Sequence, residues 1–217
     1  MIQLTKKNIE ASYFLRNQML HWNLLYDLLT REFTRCKLNN DIHEIGYKVK
    51  LVDKLYNCNL RQDYRKVANS LLNLDLDSLF EKSDLCSIVN KISEIQLPKY
   101  KEEGKYKRLR EVFASKYCHF HYPHKFPITD SFSQLALSRL FNKKMKNYEN
   151  NYTQFVHDIN DLKKSIKFEI TYVQIDSYLW LYGQWLNYTD KDQCSHEFRY
   201  LVEHEYEFLE HLSPEFN

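Results

Sequence analysis

Three glycines and four prolines serve a chain of 217 residues. A sheet protein of that length needs many tight turns, and tight turns lean on those two residues. Their scarcity predicts helices joined by loops, an all-α chain. It also removes the glycine-rich loops that cradle phosphates: there is no GxGxxG and no Walker-type sequence.

Apolar periodicity places the helices. Segment 9–33, "IEASYFLRNQMLHWNLLYDLLTREF", keeps a helical apolar period along its length. Segment 39–60 opens on an Asn/Asp cap signal and sets Val49, Val52, Leu55 and Tyr56 on one face. Segments 61–74 and 75–95 are two further helical stretches, and "QLPK" at 96–99 is a break. The next helix is expected from Gly104 to about His121, followed by the loop "HYPHKFP". A helix over 128–148 restarts with Asp130 or Ser131 as its N-cap, and 151–168, 169–188 and 192–212 complete the chain. The expectation is one all-α domain over 1–217, with two lobes and a seam near 96–104.

With 43% hydrophobic and 28% charged residues, the composition is that of a folded domain with a sizeable core. No run approaches the roughly 18 apolar residues of a membrane span. The opening "MIQLTKKNIEAS" lacks the apolar core of a signal peptide. Five cysteines, at 36, 58, 86, 118 and 194, are odd in number and widely spaced, which reads as reduced thiols. A cytoplasmic protein with no membrane partner is expected.

Charge is unevenly spread. Residues 99–125 hold eight Lys/Arg (Lys99, Lys101, Lys105, Lys107, Arg108, Arg110, Lys116, Lys125) against three acids, and Arg139, Lys143, Lys144 and Lys146 follow. Residues 190–217 hold eight acids against two bases. A phosphate backbone would be drawn to the middle of the chain. A solvated helix face accounts for the same run.

The densest chemistry lies in "FASKYCHFHYPHKFPITDSF", residues 113–132. Cys118, His119, His121 and His124 are possible metal ligands, but all fall within seven residues and no second Cys/His pair stands near. On a helix, Cys118 and His119 point about 100° apart. No metal and no cofactor are expected. The second reading pairs Lys116 with Asp130, fourteen positions on. A helix, a turn and a helix start bring an amine and a carboxylate toward one cleft. A desolvated lysine is a competent amine nucleophile, and helix N-terminal amides favour a carboxylate's charged form. Base excision needs that pair. The carboxylate stabilises positive charge at the sugar as the base leaves, and the amine attacks C1′ to form a Schiff base.

The order SK–helix–P-x-x-F-P-I-x-D–helix resembles the helix-hairpin-helix DNA glycosylase superfamily. It is most similar to the small 8-oxoguanine-glycosylase-like proteins, including those of bacterial phage-defence loci. "LVDKLYNCNL" (51–60) and "IDSYLWLYGQ" (175–184) are similar to that group's flanking helices. The specific motif covers about twenty residues, and weaker similarity extends over about 45–187. The resemblance implies a two-lobe helical glycosylase architecture, Lys116 as catalytic lysine and Asp130 as essential aspartate. It also implies a partner in double-stranded DNA carrying a modified base, either an oxidised purine or a phage-type modified pyrimidine. Two departures are plain. The hairpin before the family's lysine is glycine-rich, whereas "RLREVFASK" has no glycine. The lysine-to-aspartate spacing is also some four or five residues short, which leaves open a monofunctional enzyme in which Asp130 orients water.

Around the pair, Ser115, His119 and His121 are candidate substrate neighbours, with His119 sharing a helix face with Lys116. Lys105, Lys107, Arg108, Arg110 and Lys125 are candidate backbone contacts. Tyr178 and Trp180 read as core by pattern and as candidates to stack on an extruded base. The alternative is a helical module that binds nucleic acid or a protein partner without chemistry.

Overall fold

The computed structural model describes residues 4–58, 60, 64–95 and 103–214, the stretch 103–110 by backbone alone. The described residues form α-helices and one short 3-10 turn, Met145–Asn147, with no strand among them. In order these are α1 (Lys6–Gln18), α2 (Leu20–Arg35), α3 (Ile42–Tyr56), α4 (Tyr64–Asn73), α5 (Leu76–Lys82) and α6 (Leu85–Ser93). Then come α7 (Glu103–His121), α8 (Ser131–Leu140), α9 (Tyr152–Ser165), α10 (Tyr172–Lys191), α11 (His196–His204) and α12 (Tyr206–Glu210). The chain is all-α.

Corners in a glycine-poor chain are turned by other means. The left-handed residues among those described are Asn57, Asp75, Asn142, Asn150 and Asp192, the side chains that tolerate that region through local hydrogen bonding. Several apolar segments are therefore shorter than their periodicity suggests. Segment 9–33 divides at Met19, whose N–H closes α1 on the Arg16 carbonyl at 2.9 Å. The apolar period continues across that point, so the sequence carries no mark of it. Segment 75–95 divides where Asp84 caps α6 through the Ser87 amide (2.9 Å). Segment 128–148 stops being α-helical at Leu140, just before left-handed Asn142. Segment 192–212 divides at Glu205.

The helices group into two compact units. One comprises Met1–Leu24 with Thr129–Asn217, the other Leu25–Ile128, so the first boundary falls inside α2. Most of the seam expected near 96–104 lies outside the described residues.

The discontinuous unit is built on α10, which packs against α8 and α1. Its core includes Leu15, Leu137, Tyr148, Phe155, Ile159, Ile175 and Leu179, all fully buried. Gly183 lets α10 approach the start of α8: a Cβ there would stand 2.1 Å from the Phe132 carbonyl oxygen. The continuous unit packs α7 against α6 and α3, over Leu29, Phe33, Val49, Val52, Val89 and Tyr117.

Candidate functional site

Asp130 is the N-cap of α8, as one of the two sequence choices had it. Its Oδ1 accepts from the Phe132 and Ser133 amides at 3.0 and 2.9 Å, and Ser133 Oγ accepts from the Asp130 amide at 2.8 Å. This reciprocal box holds the carboxylate in one orientation and leaves its second oxygen outside these bonds. Asp130 is half-buried. Two residues on, the Phe132 ring meets Trp180 of α10 edge-on, with centroids 6.2 Å apart. Trp180 in turn stacks on Trp22 at 4.9 Å and 17°. All three rings are half-buried. The discontinuous unit thus holds a fixed carboxylate at the start of α8, two residues before the first ring of a partly exposed aromatic cluster. Trp22 was not among the sequence candidates, because its spacing within α2 matches an ordinary apolar position.

Tyr178 takes a different place. It is fully buried, stacked on Tyr182 at 5.6 Å, and its hydroxyl donates to the Leu212 carbonyl (2.9 Å). Burial pushes that hydroxyl's pKa well up. It ties the C-terminal helices to α10.

Lys116 lies on α7 in the continuous unit. It is 5% exposed, and its ammonium stands 4.4 Å from the Tyr56 ring centroid at the end of α3. Ser115 is fully buried and donates to the Val112 carbonyl at 3.1 Å. His119 is also fully buried: Nδ1 faces the Phe126 carbonyl at 2.7 Å and Nε2 the Tyr26 hydroxyl at 3.0 Å. A carbonyl only accepts, so Nδ1 carries the proton and Nε2 accepts from Tyr26. His119 therefore pins the loop after α7 to its own helix. His121 packs among Phe33, Phe80 and Tyr117, and burial together with the Lys48 charge pulls its pKa well down. Burial likewise drives the Cys118 thiol up, away from the thiolate a metal would need. Lys125 is exposed, its ammonium 5.1 Å over the Tyr122 ring. The side chains of Lys105, Lys107, Arg108 and Arg110 lie outside the described residues. Lys116 and Asp130 belong to different units, with Asp130 opening the first helix after the boundary at Ile128.

Two buried polar networks escaped the sequence reading. Lys48 has no exposed surface, and its ammonium donates to the Cys36 and Leu38 carbonyls and to Asn39 Oδ1, each at 2.9 Å. His121 Nε2 stands 3.4 Å from the same ammonium. Asn39 is held in turn by Asp77 (2.7 and 2.8 Å) and by the Tyr117 hydroxyl (2.7 Å). Burial lowers the Lys48 pKa to about 8, against the opposing pull of Asp77. The available signal was a lysine at an apolar-period position between Ile45 and Val52. The second network centres on buried Asp158, which accepts from Lys143 (2.6 Å), Tyr148 (2.8 Å), Gln154 (2.9 Å) and His157 (3.1 Å). Burial opposes its charge, and the hydrogen bonds from Lys143, Tyr148 and His157 outweigh that, so its pKa is lowered. His157, Asp158 and Asp161 bring ligand atoms within 4.8 Å of one another, and Asp158 already carries the Lys143 ammonium on its Oδ2. Among the described residues no helix is long and apolar enough to cross a membrane.

Residues 10–125, just over half of the chain, match the HI_0787_N family model, described as an N-terminal domain. No curated protein and no solved structure matches. The matched stretch includes Lys116 and ends five residues before Asp130.

Proposed function

From a chain that belongs to the HI_0787_N family through its N-terminal domain, we propose a DNA N-glycosylase that extrudes a modified base and cuts its glycosidic bond. The observation that carries the reading is Asp130: an oriented carboxylate at the start of the helix whose Phe132 ring meets the half-buried Trp180 and, through it, Trp22. A base taken out of the duplex needs a stacking surface, and the sugar it leaves needs a nearby negative charge. The sequence resemblance to helix-hairpin-helix glycosylases supports the same assignment.

In this reading the bond between C1′ and the base nitrogen breaks, and the base departs with the bonding pair and is protonated. Asp130 stabilises the positive charge left on the sugar. The Lys116 amine adds to C1′ and loses a proton, and opening of the sugar ring gives a Schiff base. The near-complete burial of Lys116 against the Tyr56 ring supports a desolvated amine. If water attacks instead, Asp130 orients it and an abasic site remains. The substrate is double-stranded DNA carrying an oxidised purine or a bulky modified pyrimidine. Exposed Lys125, Lys144 and Lys146 are available to its backbone.

One observation favours the non-catalytic alternative, a helical nucleic-acid- or partner-binding module. Ser115 and His119 hydrogen-bond within their own unit, to Val112, Phe126 and Tyr26, and this is scaffold work. Borohydride trapping separates the readings. Wild type, Lys116→Gln and Asp130→Asn are each incubated with duplexes holding 8-oxoguanine or glucosylated hydroxymethylcytosine. A trapped adduct that needs Lys116 establishes the lyase route. Abasic sites without an adduct establish the water route, and DNA binding with no base release from any substrate establishes the binding module.

A further inference from the structure

Helices α3 and α4 carry exposed cations that lie outside the basic run of 99–146. Lys50 and Lys54 stand one turn apart on α3, and Arg65 lies in the first turn of α4. All three are exposed, and none of them forms an ion pair among the described residues. Across 45–60 and 64–74 the only acid in the sequence is Asp53. Its side chain is turned inward: it is 7% exposed, Oδ1 accepts from the Leu60 amide and Oδ2 from the Tyr64 hydroxyl, both at 2.9 Å.

These contacts place the cations along one seam. Gly46 faces α4, since a Cβ there would meet Ala68 Cβ at 3.7 Å, and Asp53 faces it through Tyr64. Lys50 lies between them in the same row of α3, four positions after Gly46 and three before Asp53. It therefore borders the α3–α4 seam from one side. Arg65, next to Tyr64 and three positions before Ala68, borders it from the other. Lys54 continues the α3 border by one turn toward Tyr56, whose ring holds the Lys116 ammonium at 4.4 Å. All of these residues belong to the continuous unit.

Charges strung along a seam, rather than converging on one point, suit a chain of phosphates better than a single small anion. We propose that Lys50, Lys54 and Arg65 hold the phosphate backbone of the duplex on the α3–α4 surface, in the unit that carries Lys116. This rests on the reading of the chain as a DNA glycosylase. The contact holds the duplex and takes no part in the chemistry.

The test is the salt dependence of duplex binding, by anisotropy of a labelled 8-oxoguanine duplex and its undamaged counterpart, with base release followed in parallel samples. For the double variant Lys50→Gln/Lys54→Gln, the slope of log K against log salt is expected to fall by about two, and binding to both duplexes to weaken about tenfold or more. Arg65→Gln is expected to lower the slope by about one. Lys50→Arg/Lys54→Arg, which keeps the charges, is expected to keep the slope. Lys91→Gln, at an exposed lysine of α6, is expected to match wild type. A folded double variant with the wild-type slope overturns the proposal, and so does an equal loss of slope in Lys91→Gln and Arg65→Gln, which reduces the effect to net charge. Should the double variant fail to fold, Arg65→Gln reads the same surface, and a wild-type slope there overturns the proposal. Base release by wild type with no slope change in these variants sinks this inference alone. A reduced slope with no base release from any duplex supports it while the glycosylase reading fails, and a wild type that binds neither duplex removes both.

Discussion

At the scale of single residues, Asp130 carries two separable jobs. It closes the start of α8, and in the proposed reaction it faces the sugar cation. Asparagine caps helices about as well as aspartate, whereas alanine does not cap. Asp130→Asn is therefore expected to melt with wild type and lose base release, while Asp130→Ala loses about 1 kcal/mol as well. Thermal melts beside activity assays check both halves. A joint loss of stability and activity in Asp130→Asn would reduce the residue to its cap. The cap was legible in the sequence because an Asp three residues before a Ser, at the start of an apolar run, is a local signal. The roles of Ser115, His119 and His121 were not. Their partners Val112, Phe126, Tyr26 and Phe33 include residues far away in the chain, and an isolated histidine looks the same whether it is buried or exposed.

At the scale of elements, the seat of Asp130 depends on how α10 meets α8. Gly183 sits where its missing side chain lets the Phe132 backbone approach, and the 2.1 Å a Cβ would face is backbone, which cannot swing away. Gly183→Ala is expected to cost about 3 kcal/mol and to displace the α8 start. Gly46 is the contrast: a Cβ there meets only Ala68 Cβ at 3.7 Å, an ordinary contact. Gly46→Ala in mid-α3 is expected to stabilise by about 0.5–1 kcal/mol. Chemical denaturation of the two variants checks the pair, and equal effects would contradict the packing described. Helix type was readable from periodicity throughout. Helix ends were not, because Met19, Ser83 and Glu205 interrupt segments whose apolar period runs on. Asn and Asp also supply the left-handed turns that glycine usually marks.

At the scale of the whole molecule, the all-α class followed from turn-residue scarcity, while the division into units did not. A chain that returns its first helix to pack on α10 leaves no compositional break at Leu24 or Ile128. Nor does sequence show what the buried ammonium of Lys48 does to folding. Its pKa is lowered to about 8 in the fold and is ordinary in the unfolded chain, so between those values the unfolded state binds more protons. The penalty for burying the charge is full below about pH 8 and is relieved as pH rises toward 10. The sign is a gain in stability with pH, of at most about 3 kcal/mol. Buried Cys118, whose pKa is raised, pulls the other way once unfolded thiols ionise. The stability difference between wild type and Lys48→Met isolates the lysine. It is expected to grow in favour of wild type from pH 8 to pH 10, and a flat difference would contradict the network around Asn39.

In the proposed reaction the carboxylate at the start of α8 serves chemistry on a base held outside the duplex. Its most direct test is base release from an 8-oxoguanine duplex and from a glucosylated-hydroxymethylcytosine duplex, with wild type and Asp130→Asn matched for melting temperature and for DNA affinity. Release by wild type from at least one duplex, with loss of about a hundredfold or more in Asp130→Asn, is the expected result on the scale of lost electrostatic stabilisation. Equal release by the two proteins, or none by wild type from either duplex, contradicts it.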